Sequence, residues 1–164
     1  MGLFDFIKDA GENVFGKDED PKEAAAELAA AKAKKAAVEA RRVQTLTNYV
    51  GRLGLEIDDL GIAVDGDVVV VSGTVATQEV KEKIVLALGN TAGTARVDDR
   101  ITVEVEEPEA TFHTVVSGDS LSKIAKKYYG DPMKYTVIFE ANKPMLSDPD
   151  KIYPGQVLRI PSAA

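Results

Sequence analysis

Residue types that carry much of protein chemistry are absent or scarce in this chain. It contains no cysteine, no tryptophan and a single histidine, His113. The lack of cysteine excludes disulfide bonds, thiolate metal sites and cysteine nucleophiles. Ser117 and Ser120 lie near Asp119, but no second histidine or suitable lysine completes a catalytic triad. Because glycine-rich phosphate loops and zinc-ligand spacings are missing too, the sequence predicts no catalytic residue and a protein that is not an enzyme.

Long apolar runs are also absent, and so is a basic leader. No segment approaches the ~20 apolar residues that a membrane-spanning helix needs. Asp5 and Asp9 interrupt the N-terminal segment, which therefore lacks a secretory pattern. The net charge is −7, and its acidic excess is concentrated in residues 46–110, which argues against binding to nucleic acid. We expect a cytoplasmic monomer with neither a membrane span nor a nucleic-acid partner.

The N-terminal part of the chain contains two segments of contrasting composition. In residues 1–16, apolar side chains that include Leu3 and Phe4 recur at helical spacing, which predicts an amphipathic docking helix. Residues 17–42 are rich in Ala, Lys and Glu, and Pro21 suits the first turn of a helix. We expect this second segment to be a solvated helical spacer, because alanine contributes little apolar area for packing or membrane insertion.

Residues 43–106 show the periodicity of a small mixed domain. An apolar helical face is followed by a hairpin turn at Asp65-Gly66 and by an amphipathic helix that begins after Thr77 and ends near Gly89. A segment with strand alternation closes the domain. The predicted order is αββαβ, with the helices on one face of a small sheet.

Two adjacent carboxylates, Asp98 and Asp99, lie in this last segment. They are compatible with a divalent metal site or a carboxylate pair, or with a solvated turn or bulge. We favour the turn, because adjacent residues of a strand point to opposite faces and do not converge on one ion.

An acidic linker at residues 107–111 leads to residues 112–162, where the composition changes again. Asp119 or Ser120 suits the N-cap of a helix, and Gly130 suits the end of that helix. A second helix and a final strand follow, so the predicted order is βααβ. His113, at the start of the first strand, is expected at the surface.

Both of these segments resemble known domain families. Residues 68–75 resemble the central strand and glycine of a BON domain. Residues 112–162 resemble a LysM domain over almost their whole length. The matching motifs are Thr114-Val115, Ser117 through Leu121, Ile124-Ala125, Ala141-Asn142 and Ile152 through Pro161. The expected fold class is therefore α+β, with a BON-like domain followed by a LysM domain.

The LysM resemblance implies a shallow groove between two loops that binds glycans containing N-acetylglucosamine, such as peptidoglycan. The matching groove positions here are Gly118, Asp119, Ser120 and Leu121 in the first loop, and Lys143, Pro144, Met145 and Leu146 in the second. A cytoplasmic protein would not meet assembled cell wall. Docking of the LysM domain against its neighbour therefore stays open as its alternative role.

The arrangement of the whole chain resembles the small bacterial potassium-binding proteins of the BON–LysM type. The resemblance rests on Gly2 through Glu12, Lys81 through Asn90 and Lys143 through Pro161, and the Ala/Lys-rich segment is longer than the family normally has. It implies a potassium ion bound by main-chain carbonyl oxygens. The matching positions are Ile7, Ala10, Glu12, Gly89, Thr91 and Thr94.

Elementary physics is compatible with this implied site. Helix C-termini expose unpaired carbonyls at the negative end of the helix dipole, and potassium suits neutral oxygen ligands. Rubidium or caesium should substitute for potassium in such a cage. The family tends to have aliphatic side chains where Thr91 and Thr94 stand, but carbonyl ligation does not depend on the side chain. Without the resemblance, two ordinary capped helix ends would explain the same residues.

Two functions are therefore in competition. The first is an intracellular potassium sensor or buffer that changes conformation on binding the ion, with contact between the BON and LysM domains. The alternative is an envelope protein that binds peptidoglycan or another N-acetylglucosamine glycan through its LysM domain.

Overall fold

The computed structural model describes residues 2–5 and 21–162. These residues form two α+β units, each with its own sheet. The elements of the first unit are β1 (Gly2–Asp5), α1 (Pro21–Arg52), β2 (Asp58–Asp65), β3 (Val68–Thr77), α2 (Gln78–Gly89) and β4 (Arg96–Val105). Those of the second are β5 (Thr111–Thr114), α3 (Leu121–Tyr129), a 3₁₀ turn (Pro132–Lys134), α4 (Tyr135–Ala141) and β6 (Val157–Ile160).

The first unit confirms the predicted αββαβ order. Its sheet has the strand order β1-β4-β3-β2, in which β3 and β4 are parallel and α2 makes the crossover between them. β2 and β3 form the expected hairpin, and the register pairs Asp65 with Val68. The turn therefore consists of Gly66, at φ 61°, and Asp67, one residue later than the sequence predicted.

The two helices pack on the same face of this sheet, as expected. Alternate β3 residues meet residues of α1, α2 and β4 in one core, which comprises Leu46, Val50, Val69, Val71, Val75, Ile84, Val85, Leu88, Val97 and Ile101. Gly73 interrupts the alternation for a steric reason. A Cβ at Gly73, whose φ is 145°, would lie 2.8 Å from the Asp58 carbonyl oxygen and from the Ile57 side chain.

The spacer and the first helix of the BON-like domain are one continuous helix. α1 runs without interruption across the predicted boundary between residues 42 and 43. Its N-terminal half is exposed, with Leu28 at 57% exposure, whereas Leu46 and Val50 are buried against the sheet. The first turns of α1 are exposed, but from Lys35 and Glu39 onward the helix contacts the β2–β3 hairpin.

The predicted N-terminal helix is wrong for the part of it that the structure describes. Gly2–Asp5 is a strand that pairs antiparallel with β4, with Leu3 opposite Asp98 and Asp5 opposite Arg96. The free edge of β4 explains the difference, because a paired strand satisfies backbone groups that a helix would leave exposed. Residues 6–16 of the predicted helix lie outside the described residues.

The solvated turn expected at Asp98 and Asp99 is also wrong, since both residues belong to β4. Their side chains lie on opposite faces, as strand geometry requires. Asp99 is 2% exposed, and its carboxylate lies 3.0 Å from the Lys81 amine of α2. Asp98 pairs instead with Arg100 at 2.7 Å. The two carboxylates therefore have separate cation partners and do not form a shared metal site.

The second unit confirms the predicted βααβ order. Ser120 caps α3 through a hydrogen bond from the Lys123 amide, and Gly130 ends it at φ 74°. β5 and β6 pair antiparallel, with His113 opposite Leu158. Their core is built mainly from aliphatic residues, among which Leu121, Ile124, Ile138 and Leu158 are almost fully buried. None of the described helices has the length and apolarity to cross a membrane.

Candidate functional site

The turn that follows α2 contains three of the residues implied as ion ligands. α2 ends at Gly89, and Asn90 is its C-cap. At φ −82° Asn90 is not left-handed, and the left-handed residue of the turn is Gly93 at φ 79°. The Thr94 amide donates to the Thr91 carbonyl over 3.2 Å. The last turn of α2 carries no basic side chain, so no lysine or arginine there neutralises the negative end of the helix dipole.

The main-chain oxygens of this turn differ in their hydrogen bonds. Thr94 is fully buried and Gly89 is buried at the helix end. Within the part of the chain that the structure describes, neither carbonyl accepts a hydrogen bond, whereas the Thr91 carbonyl accepts one. A buried carbonyl normally has a partner, and each carbonyl oxygen has two lone pairs. The turn therefore has acceptor capacity that fits a bound cation.

The threonine hydroxyls in the turn are already used. The Thr91 hydroxyl lies 2.6 Å from the Leu88 carbonyl and 2.8 Å from the Thr94 hydroxyl. Arg42 of α1 donates to the Thr94 hydroxyl over 2.7 Å and to the Gly66 carbonyl over 2.8 Å. The hydroxyls therefore fix the shape of the turn, and each of them already has two hydrogen-bond partners.

The other implied ligands, Ile7, Ala10 and Glu12, lie outside the described residues. The register of β1 bears on them, because Asp5 pairs with Arg96 at the start of β4. Arg96 follows Thr94 by two residues, so the end of β1 at Asp5 lies beside the turn. Ile7 is two residues further along the sequence. Their ligation nevertheless stays a prediction.

Asn90 joins this turn to the second unit, which sequence reasoning missed. Its side-chain amide donates to the Val157 carbonyl, and its side-chain oxygen accepts from the Val157 amide, both over 2.8 Å. The Tyr153 hydroxyl donates to the Asn90 carbonyl over 3.3 Å. Asn90 thus pairs with β6 as a neighbouring strand residue would, and both residues next to it, Gly89 and Thr91, are implied ligands.

A second asparagine, Asn142, makes the same kind of paired hydrogen bond to β6 within the second unit. Asn142 donates to the Arg159 carbonyl and accepts from the Arg159 amide, over 2.8 and 2.7 Å. β5 occupies the other edge of β6. The free edge of β6 is therefore covered by two asparagine side chains, one from each unit, which leaves no unpaired edge there for another strand.

A buried ion pair holds the two units together beside this contact. Glu82 of α2 is 3% exposed and forms a close ion pair with Arg159 of β6. The same carboxylate accepts hydrogen bonds from the Ala110 amide over 2.9 Å and from Gln78 over 3.1 Å. Glu82 therefore binds the last strand and the linker at once.

His113 forms a hydrogen bond with Asp119 in the first loop of the implied glycan groove. His113 is 9% exposed, which contradicts its expected surface position. Its Nε2 lies 2.9 Å from the Asp119 carboxylate and its Nδ1 lies 3.1 Å from the Tyr128 hydroxyl. Asp119 also accepts from the Val116 amide over 3.1 Å. The histidine is buried because these two partners satisfy both ring nitrogens.

This network predicts an acid dependence. The hydrogen bond from His113, followed by that from the Val116 amide, holds the pKa of Asp119 below its ordinary 3.8. A depressed carboxylate pKa stabilises the fold fully above its unfolded value, and this stabilisation is lost as the pH falls through the folded pKa. Asp119→Asn should lower the melting temperature at pH 7, and the difference from wild type should vanish toward about pH 2. A difference that stays constant across an acid titration would contradict this role.

The second loop of the groove lies against the first unit. Pro144 and Met145 face Leu53, Leu55 and Leu86 across a narrow crevice, and the Asn90 side-chain amide lies 3.2 Å from the Met145 sulfur. Leu121 and Leu146, the other apolar groove positions, are each 2% exposed in the core. The exposed remainder of the groove consists mainly of Gly118, Ser120 and Pro144.

A conventional carboxylate or histidine metal site is not found among residues 2–5 and 21–162, where no group of three or more such side chains is arranged to hold a metal ion.

Comparisons with known proteins support the division into these units. A BON domain family profile matches residues 39–105, and a LysM domain family profile matches residues 113–161. An uncharacterized protein of Deinococcus radiodurans is 55% identical over 56 residues, which are 34% of this chain and 21% of that protein. An esterase of Mycobacterium tuberculosis is 45% identical over 53 residues, or 11% of its own length, so that similarity is too short to bear on catalysis.

One relative matches almost from end to end. The potassium binding protein Kbp of Escherichia coli is 43% identical over 168 aligned positions, which cover 98% of this chain and 99% of Kbp. Identity of this extent across both units indicates shared ancestry of the whole arrangement. The chain belongs to the BON–LysM protein family that includes Kbp of Escherichia coli.

Proposed function

We propose that this protein binds potassium at the turn after α2 and serves the cell as a potassium sensor or buffer. The observation that carries the proposal is the pair of buried carbonyls at Gly89 and Thr94, which accept no hydrogen bond from the described residues. The near full-length similarity to a potassium binding protein supports the same ligand. The role is one of binding and not of catalysis.

The proposed ligands are main-chain oxygens, so selectivity follows from size and hydration. The carbonyls of Gly89, Thr91 and Thr94 would supply one half of the cage, and those of Ile7, Ala10 and Glu12 the other. Neutral carbonyls replace the weak hydration shell of potassium more readily than the shell of a small ion. Magnesium dehydrates reluctantly and requires short octahedral contacts. Rubidium and caesium should therefore compete with potassium, while sodium and magnesium should not.

Ion binding would be linked to contact between the two units through Asn90. Its side chain holds β6 while its neighbours supply proposed ligands. An ion that orders this turn would favour the conformation in which Asn90 meets Val157. A ligand shifts an equilibrium by its difference in affinity for the two states, so the docked arrangement should bind potassium more tightly than a separated one.

The geometry favours this function over glycan binding. Met145 of the second groove loop lies against the first unit, with its sulfur 3.2 Å from the Asn90 side-chain amide, and the exposed Pro144 borders the same crevice. A glycan lying along both loops would compete with that contact. Docking against the BON-like unit is therefore the role we propose for the LysM unit, in keeping with a location inside the cell.

Calorimetric titration at fixed ionic strength tests the proposal. Constant ionic strength is needed because the acidic protein attracts any cation weakly. Potassium, rubidium and caesium should give saturable binding, whereas sodium, magnesium and an N-acetylglucosamine oligomer should give none at the same concentrations. Equal calorimetric responses to sodium and potassium would mean that the cations only screen the acidic surface and that no specific site exists. A chain that ignores potassium but binds the oligomer would support the glycan function.

A further inference from the structure

A permanent positive charge is fixed to the proposed cation site. Arg42 donates one hydrogen bond to the Thr94 hydroxyl and another to the Gly66 carbonyl, over 2.7 and 2.8 Å. Its guanidinium also lies beside Gly93, since a Cβ added there would be 3.7 Å from the guanidinium carbon. Both hydrogen-bond acceptors are neutral, and the neighbouring Glu39 carboxylate accepts from the Gly66 amide over 2.9 Å, so the guanidinium is the charged group in direct contact with the turn that holds Thr94.

The hydroxyl contacts have a defined direction. The Leu88 carbonyl can only accept, so Thr91 donates its one hydroxyl hydrogen there, over 2.6 Å. The 2.8 Å contact between the two hydroxyls must then be donated by Thr94. Arg42 in turn must donate to Thr94, since a guanidinium has no acceptor. A one-way chain of three hydrogen bonds thus runs from Arg42 to the last turn of α2, and it fixes the guanidinium relative to the turn.

Because Arg42 contacts the side chain of a proposed ligand residue, a bound ion would lie within roughly 10 Å of the guanidinium. A nearby cation disfavours a bound cation, and the repulsion is proportional to the charge of the ion. The cost for a divalent ion is therefore twice that for potassium. The binding constant depends exponentially on the free energy. The factor by which Arg42 weakens binding of a divalent ion is therefore the square of the factor for potassium.

We propose that Arg42 is a specificity-determining residue of this site, which discriminates against divalent cations by charge repulsion. The proposal rests on the proposed potassium site. Main-chain carbonyls alone carry no net charge, and calcium also accepts neutral oxygen ligands. The guanidinium adds a penalty that depends on ionic charge and not on ionic size. It supplements the size selection of the carbonyl cage, and it moderates the affinity for potassium at the same time.

The test compares Arg42→Gln with Arg41→Gln in the full chain. Both variants remove one positive charge from α1, but Arg41 is exposed at the neighbouring position, so it controls for net charge. In Arg42→Gln, the potassium binding constant should rise about threefold to tenfold at low ionic strength. The calcium binding constant should rise by the square of that factor, about tenfold to a hundredfold. Arg41→Gln should leave the ratio of the two constants within about twofold of wild type.

A third variant separates charge from hydrogen bonding. Arg42→Lys keeps the positive charge but removes the planar guanidinium that contacts both the Thr94 hydroxyl and the Gly66 carbonyl. Without added ions, Arg42→Gln and Arg42→Lys should both lower the melting temperature, because neither side chain reproduces the paired hydrogen bonds of the guanidinium. Only Arg42→Gln should change the calcium-to-potassium ratio, by about threefold to tenfold, because only it removes the positive charge.

The outcomes are distinguishable from failure of the site itself. If wild type binds potassium and Arg42→Gln leaves the calcium-to-potassium ratio unchanged, the role of Arg42 is refuted and the site stands. If Arg42→Lys changes the ratio as much as Arg42→Gln, the hydrogen bonds and not the charge control selectivity, which also refutes the role of Arg42. If wild type does not bind potassium, the proposed function fails and this inference fails with it.

Discussion

Deletion of residues 1–12 is expected to reduce potassium binding below detection in a calorimetric titration. The deletion removes the carbonyls of Ile7, Ala10 and Glu12, which are half of the proposed ligands, and each lost oxygen must be replaced by water. It also removes β1, whose pairing of Asp5 with Arg96 leads the chain to the turn after α2. A truncated protein that bound potassium as tightly as the full chain would place the site elsewhere.

Two controls separate the ligands from the strand that positions them. Glu12→Gln keeps the main-chain carbonyl and removes only a charge, so its potassium affinity should stay within about tenfold of wild type at physiological ionic strength. Deletion of residues 1–5 removes β1 but keeps all three proposed ligands. It should weaken binding measurably, yet less than the longer deletion does. Equal losses in the two deletions would indicate that β1, and not residues 6–12, matters for the ion.

Glu82→Ala is expected to cause the largest loss of stability among single substitutions. It leaves the Arg159 guanidinium, whose side chain is 12% exposed, without its carboxylate, and it removes the acceptor for the Ala110 amide. Breaking a buried pair by removing one partner costs about 3–5 kcal/mol. For a chain of this size that corresponds to a fall of about 10 °C in melting temperature, measured by circular dichroism.

Two further variants test whether burial of the pair causes this loss. Replacing both partners, as in Glu82→Met with Arg159→Met, should recover most of the stability, because no uncompensated charge remains. Glu79 lies on the same helix in a half-exposed pair with Lys83 at 2.7 Å. Glu79→Gln should cost at most about 1 kcal/mol, as exposed ion pairs do. If Glu79→Gln and Glu82→Ala lower the stability by the same amount, burial of the Glu82–Arg159 pair is not the cause of the loss.

The local elements of the fold were predictable because their signals are local. Thr77 accepts a hydrogen bond from Val80 at the start of α2, as its position before an amphipathic run indicated. Gly130 adopts the left-handed conformation that ends α3. Both depend on residues within one helical turn, so a single sequence contains the information.

Contacts between distant segments were not predictable in the same way. Leu3 and Phe4 fit a helical face or a strand equally well, and only the free edge of β4 decides for the strand. Arg42 belongs to a segment whose composition indicates a solvated helix, yet it contacts a turn 52 residues further along the chain. Glu82 and Arg159 are separated by 77 residues. Charge and polarity alone do not tell which polar residues a fold buries.

All six implied ligands of the candidate site were predicted through family resemblance and not through periodicity. Gly89, Thr91 and Thr94 do lie together at the end of α2, but a capped helix end gives the same pattern without any ion. The role of Asn90 left no signal, because asparagine after a helix is typical of an ordinary C-cap. Its contact with Val157 becomes visible only when the second unit is placed against the first.

Crystals grown in rubidium test the central claim most directly, because rubidium should substitute for potassium and scatters anomalously. We expect one strong anomalous peak surrounded by the main-chain oxygens of Gly89, Thr91 and Thr94. The same peak should disappear when sodium replaces rubidium. Rubidium bound instead only by exposed carboxylates, with no peak at this turn, would contradict the carbonyl site.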